Sequence, residues 1–143
     1  MVMDEYFIEE VKARTRIEEG LELKPYRCPA GYLSIGYGLN LDAGIDKASA
    51  EWLMDHKIRE AVLFLEETIE TWFSLPKHIK AVCLDMMYNH GVRGFRAYKK
   101  MIAALNRKDY RSAALEIRDS NYWRNPLTNK RAERNAKEME RIN

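Results

Sequence analysis

The chain has 143 residues, of which 46% are hydrophobic and 32% are charged. This length is enough to bury a sizeable core but too short for two large independent domains. Charged residues interrupt every apolar stretch before the roughly 20 residues that a membrane-spanning helix needs, so we expect a soluble protein without stable membrane insertion.

Charge is unevenly distributed along the chain. Residues 1–90 carry 10 Lys and Arg against 16 Asp and Glu, whereas residues 91–143 carry 14 against 6. The basic part would attract an anionic polymer, either cell wall or nucleic acid, or would form a solvated helical surface with counter-charges nearby. Because its cations are not interleaved with aromatic residues and no DNA-binding motif is visible, we do not expect nucleic acid as a partner.

The N-terminus and the cysteines bear on the compartment. Residues 1–10 hold four acidic residues and no continuous apolar region, unlike a secretory signal. Two cysteines, Cys28 and Cys83, are too few for a disulfide framework and fit a reducing cytosol, so no bridge between them is expected. The histidines have no metal-ligand spacing, and we expect neither a metal nor another cofactor.

The first predicted element is an amphipathic helix. Apolar residues recur at helical spacing from Phe7 to Ile17, and Gly20 suits the position just past a helix end. Glu18 and Glu19 therefore fall in the last turn. Between Leu21 and Asp42, aromatic and β-branched residues alternate with glycine and proline, which predicts two or three short antiparallel strands.

A long helix is predicted next, over about residues 46–70, with Asp46 as its N-cap. Its apolar stripe is predicted to be core: Met54, Ile58, Ala61, Val62, Leu65 and Ile69. Pro76 suits the first turn of the next helix. That helix is apolar around most of its circumference and should be the buried centre of a helical lobe. After a turn at Gly91 to Gly94, helices are predicted at about 98–106, 109–120 and 129–139.

These elements predict one α+β domain. A small antiparallel sheet lobe, about residues 21–45, would be joined by the helix of about 46–70 to an α-helical lobe formed by about 1–20 and 70–143. A cleft between the lobes would suit a long, thin substrate.

Three polar side chains then stand out for their chemistry. Cleavage of a glycosidic bond needs a protonated carboxylic acid and a second group that positions water or attacks carbon. Glu19 ends the first helix, Cys28 follows in the first turn of the sheet region, and Ser34 lies in a strand. Taken singly, each has a plainer explanation: a solvated charge, a packing residue and a strand residue that fits. Their combination favours a catalytic site.

The same segment resembles the active-site signature of the phage-type lysozymes, glycoside hydrolase family 24. That signature is Glu, eight residues, Asp or Cys, five residues, Thr, and the chain has Glu19, Cys28 and Ser34 at those spacings. The resemblance extends from about Arg16 to Met139. Its other matches are Gly20-Leu21, Tyr26, Gly31-Tyr32, Ile35 to Gly38, Ala81 to Asn89, Gly91, Phe95, Met101, Ala113-Ala114, Ser120, Trp123, Arg131-Ala132 and Arg134.

The resemblance implies a role for each residue of the signature. Glu19, not Glu18, would be the general acid, and a proton donor of this kind should be partly buried so that it keeps its proton. Ser34 would hold the attacking water as the family's threonine does, less rigidly without the methyl group. Cys28 would orient water in an inverting reaction, whereas a retained anomeric configuration would point to a covalent Cys28 adduct.

The resemblance also implies substrate contacts in the helical region. Arg131 matches an arginine near the family's acid, with a plain surface arginine as the alternative. Tyr88 and Asn89 match cleft-facing positions, with core packing as the alternative for Tyr88. One departure concerns stability more than chemistry: Leu39 replaces a histidine that many family members carry after the Gly-x-Gly strand.

The implied activity is hydrolysis of the β-1,4 bond between N-acetylmuramic acid and N-acetylglucosamine in peptidoglycan. The implied setting is a monomeric phage endolysin that accumulates in the host cytoplasm and reaches the periplasmic wall on release. Two alternatives remain open: a lytic transglycosylase, which forms an anhydro product without water, and a non-catalytic wall-binding module that keeps the fold.

Overall fold

Helices make up 67% of the residues that the structure describes, and the remaining regular structure among them is one small antiparallel sheet. The computed structural model describes residues 4–142. These proportions confirm the predicted α+β class. The chain divides after Glu51 into two units, which are described in turn.

The first unit begins with helix α1, Glu5–Glu19. The Asp4 carboxylate caps its start by accepting a 3.0 Å hydrogen bond from the Tyr6 backbone N–H. Gly20 ends it with a positive φ of 70°, as predicted, and its N–H donates to the Arg16 carbonyl. None of the α1 side chains is buried, so the apolar face that the sequence predicts is exposed here.

Three strands follow: β1 (Glu22–Arg27), β2 (Leu33–Gly36) and β3 (Leu39–Asn40). They form a sheet in the order β1-β2-β3, with both neighbouring pairs antiparallel. The register of β1 against β2 is irregular between Glu22 and Tyr26. Pro25 lies in this stretch of the edge strand, where it has no N–H to donate to the ladder. The predicted strands are thus present, and the sheet brings Ser34 opposite Tyr26.

Helix α2, Lys47–Thr68, crosses the boundary into the second unit. Asp46 caps its start, as predicted, because its carboxylate accepts a 2.7 Å hydrogen bond from the Ser49 backbone N–H. The predicted apolar stripe is only partly core. Ala61, Leu65 and Ile69 are buried and Val62 is half-buried. Met54 and Ile58 are 40% and 36% exposed and line an open cavity instead.

The rest of the second unit is helical. A 3₁₀ turn at Trp72–Ser74 precedes α3 (Lys77–Arg96), α4 (Lys99–Asn106), α5 (Tyr110–Arg118), α6 (Asn121–Arg124) and α7 (Asn129–Glu140). Helix α3 starts directly after Pro76 and continues past the predicted turn with a kink at Gly91, whose φ is 71° and ψ is 176°. This combination is accessible to glycine and strained for other residues.

The core of the second unit gathers around α3, which is the buried central helix that the sequence predicts. Burial of apolar side chains of this kind is the main source of folding stability. Among the described residues the largest fully buried side chains are Phe95, Leu65, Ile69, Ile79, Met86, Met101, Leu105, Ile117, Met139 and Cys83. None of the helices between residues 4 and 142 combines the length and apolar character needed to cross a bilayer.

Candidate functional site

Glu19 is the last residue of α1, and its carboxyl group lies against the backbone of Gly38, just after β2. A Cβ atom placed on Gly38 would lie 2.6 Å from Glu19 Oε2 and 3.0 Å from Cδ. Gly38 also has a positive φ of 77°, which L-residues rarely adopt. Because Gly38, the second glycine of the Gly-x-Gly segment, has no side chain, the Glu19 carboxyl group can occupy the space beside it.

The Glu19 side chain is exposed. The partial burial expected for a proton donor is thus not present, because none of the α1 side chains is buried. Within residues 4–142 no hydrogen bond or ion pair engages its carboxylate. Gly38 limits the position of the carboxyl group on one side.

Cys28 and Ser34 lie together at one end of the β1-β2 hairpin. Cys28 N–H donates to the Tyr32 carbonyl at 2.9 Å, and the Gly31 N–H donates back to the Cys28 carbonyl at 2.8 Å. These bonds close the turn that carries the thiol. Ser34 is only 4% exposed, and its hydroxyl is within hydrogen-bonding reach of both the Cys28 thiol and the Tyr32 carbonyl, the latter at 3.4 Å.

The same surroundings affect ionisation of Cys28. Desolvation of the thiol opposes ionisation, but hydrogen bonds from the backbone of residues 30–32 and from the Ser34 hydroxyl outweigh it. The pKa of Cys28 therefore lies below its usual value. Cys83 is the opposite case, since complete burial raises its pKa to about 12. The two thiols are both free, and their pKa values are shifted in opposite directions.

Alkylation should separate the two thiols. Because a thiolate is the reactive form, we expect iodoacetamide to modify Cys28 in the native protein with a rate-against-pH midpoint below the roughly 8.5 of a free cysteine. Cys83 should react only after unfolding. Ser34→Ala removes a donor to the thiolate and should move the Cys28 midpoint upward. Peptide mapping by mass spectrometry measures both sites, and an unmoved midpoint in Ser34→Ala would contradict this account.

In the second unit, Tyr88 and Asn89 are neighbours on the exposed side of α3. Tyr88 is 49% exposed, so core packing does not explain it. Its ring lines two cavities, of about 640 and 420 Å³. The smaller one is also lined by Arg131, so the structure places two of the predicted substrate-binding residues at one cavity.

Arg131 is not a plain surface arginine, because it is paired with Asp85. Its Nε and Nη2 donate to the two Asp85 carboxylate oxygens at 3.0 and 2.5 Å. Asn135, which is 8% exposed, donates from Nδ2 both to Asp85 Oδ2 at 2.8 Å and to the Tyr122 hydroxyl at 3.2 Å. The Arg131 guanidinium, opposed by partial desolvation, holds the pKa of Asp85 below its usual value.

Asp85 was not predicted from the sequence. The available signal was one acidic residue within the otherwise apolar run from Ala81 to Met87. A carboxylate in such a position usually has a cationic partner. The identity of that partner, 46 residues further along the chain, requires the fold.

Two comparisons with known proteins place these residues in a family. The family model described as phage lysozyme matches residues 16–138, a segment that includes all six predicted site residues. The endolysin of Acyrthosiphon pisum secondary endosymbiont phage 1 is 30% identical over 103 residues, which cover 69% of this chain and 68% of that endolysin. Since the matched segment spans most of the sequence and agrees with the α+β fold, the chain belongs to the phage lysozyme family.

Proposed function

We propose that this phage lysozyme hydrolyses the β-1,4 bond between N-acetylmuramic acid and N-acetylglucosamine, with Glu19 as the general acid. Family membership supports peptidoglycan lysis by a glycosidase in general. The observation that carries the finer proposal is the position of the Glu19 carboxyl, seated against Gly38 and open to a ligand at the end of α1.

In the proposed reaction, Glu19 donates its proton to the glycosidic oxygen as the bond from that oxygen to the anomeric carbon breaks. Water attacks the anomeric carbon from the opposite face and releases its extra proton to bulk solvent. The Cys28 thiol and the Ser34 hydroxyl orient this water. Ser34 suits the task because it is buried and hydrogen-bonded, which restricts the directions its hydroxyl can take.

Tyr88, Asn89 and Arg131 are proposed to bind the glycan. The half-exposed Tyr88 ring offers an apolar surface with a polar tip, which suits a sugar face. Arg131 supplies N–H donors at the same cavity, and Asn89, the exposed residue that follows Tyr88 in the chain, supplies an amide. These contacts are of the kind that carbohydrate oxygens use.

Digestion of purified peptidoglycan in water enriched in ¹⁸O tests the reaction type. Hydrolysis inserts one solvent oxygen at each new reducing end, so mass spectrometry should show muropeptides that carry one ¹⁸O. A lytic transglycosylase would release anhydro products without the label and one water lighter. A non-catalytic wall-binding module would release no soluble muropeptides. Either of the last two results would overturn the proposal.

We also propose a role in host lysis. The relative's name, endolysin, supports such a role. In this setting a phage-encoded protein accumulates in the bacterial cytoplasm and acts on the periplasmic wall after release.

A further inference from the structure

The Asp85 carboxylate fixes the Arg131 guanidinium at one edge. Both carboxylate oxygens accept from Arg131, through Nε at 3.0 Å and Nη2 at 2.5 Å. Such a two-point contact restrains the plane of the guanidinium as well as its position. Asn135 in turn holds Asp85, with a 2.8 Å bond to Oδ2.

The pair leaves part of the guanidinium available. A guanidinium has five N–H groups, and Arg131 uses two of them on Asp85. Among residues 4–142 the other three have no protein acceptor. The side chains of Arg131 and Asp85 are 36% and 37% exposed, so a ligand can reach them.

The same residues border a cavity with an aromatic wall. Asp85, Tyr88 and Arg131 line the cavity of about 420 Å³, whose other lining residues are mainly apolar. The space therefore combines an apolar surface, a half-exposed phenol ring and a fixed set of unused N–H donors. Since the ion pair has no net charge, these donors suit neutral oxygens such as hydroxyls and amide carbonyls better than a free anion.

We propose that Asp85 is a positioning residue, which holds Arg131 so that its unused N–H groups bind neutral oxygens of the N-acetylated glycan. This inference rests on the proposed function and assigns a residue to its substrate contacts. Asp85 acts through Arg131 and does not touch the reacting atoms. Its loss should therefore weaken substrate binding and leave the chemical step nearly unchanged.

Initial rates of peptidoglycan digestion, measured against substrate concentration, test this role in four proteins: wild type, Asp85→Asn, Arg131→Ala and the double variant. We expect Asp85→Asn to raise the apparent KM about 10-fold, within the range of a charge-assisted contact, with little change in kcat. In the Arg131→Ala background the same substitution should add almost nothing, because its target is gone. An unchanged or lowered KM, or equal effects in both backgrounds, would overturn the proposal.

A matched ion pair provides the control. The Glu133 carboxylate on α7 accepts hydrogen bonds from the side chains of Arg118 and Trp123. Its side chain is 30% exposed, similar to that of Asp85. Glu133→Gln also breaks a contact of α7, and should lower Tm without raising KM. If it raises KM as much as Asp85→Asn does, the effect is merely structural and the positioning role is wrong.

Arg131→Lys is the second variant, in case Asp85→Asn unfolds. Lysine keeps the positive charge but has no planar guanidinium, so it cannot form the bidentate contact with the Asp85 carboxylate. We therefore expect the same rise in KM. A wild-type KM in this variant would refute the inference. The proposed function fails by a different result. If the wild-type protein releases no ¹⁸O-labelled product, the proposed hydrolysis is wrong, whatever the role of Asp85.

Discussion

Glu19→Gln should lower the rate of peptidoglycan digestion about 1,000-fold, within the range that a general acid contributes. Glutamine keeps the size and the hydrogen-bonding reach of glutamate but has no proton to give to the leaving oxygen. Substrate binding should persist, so the loss should appear in kcat rather than in KM. Initial rates on purified peptidoglycan, or clearing of permeabilised Gram-negative cells, measure it.

The neighbouring residue provides a control with the same change of charge. Glu18 is also exposed in the last turn of α1, and Glu18→Gln should retain nearly full activity. Both variants should unfold at the wild-type temperature because neither removes a buried contact. Equal digestion by Glu19→Gln and wild type would rule out Glu19 as the acid.

Gly38→Ala should lower activity about 100-fold, although residue 38 supplies no reacting group. The new Cβ would lie 2.6 Å from Glu19 Oε2, so the carboxyl group has to move. A displacement of about 1 Å in a reacting group can cost this factor. The positive φ of 77° should also cost about 1 kcal/mol of unfolding free energy.

Gly44→Ala separates the two effects of the Gly38 substitution. Gly44 has nearly the same φ, 75°, but nothing lies within 4 Å of a Cβ placed there. It should therefore lose similar stability in urea unfolding and keep its activity. If Gly38→Ala is as active as Gly44→Ala, the Gly38 contact does not position the acid.

The sequence predicts the local features of this protein well. Capping and turn-forming residues such as Asp46 and Gly20 act on their immediate neighbours. The helix ends that they set can therefore be predicted from a short segment of sequence. The predicted trio lies within 16 residues of chain, and the hairpin accounts for the approach of Cys28 to Ser34. Their roles in catalysis remain a prediction.

Features that depend on distant parts of the chain were harder to predict. The periodicity that marks Leu65 as core also includes Met54 and Ile58, which line a cavity instead, because helical spacing does not show which part of a face is covered. The Asp85–Arg131 pair joins two helices that only the fold brings together. The exposure of Glu19 likewise differs from the burial that its proposed chemistry led us to expect.

Among residues 4–51, Ser34 alone is buried, so the segment that carries the proposed catalytic trio has almost no apolar interior. Its order relies on backbone hydrogen bonds for which solvent competes, whereas residues 52–142 enclose a continuous core. Regions with little buried surface open at a smaller free-energy cost than the whole molecule. Loss of activity on heating would then precede loss of helical structure, and resistance to heat inactivation would have to be improved in the sheet, not in the core.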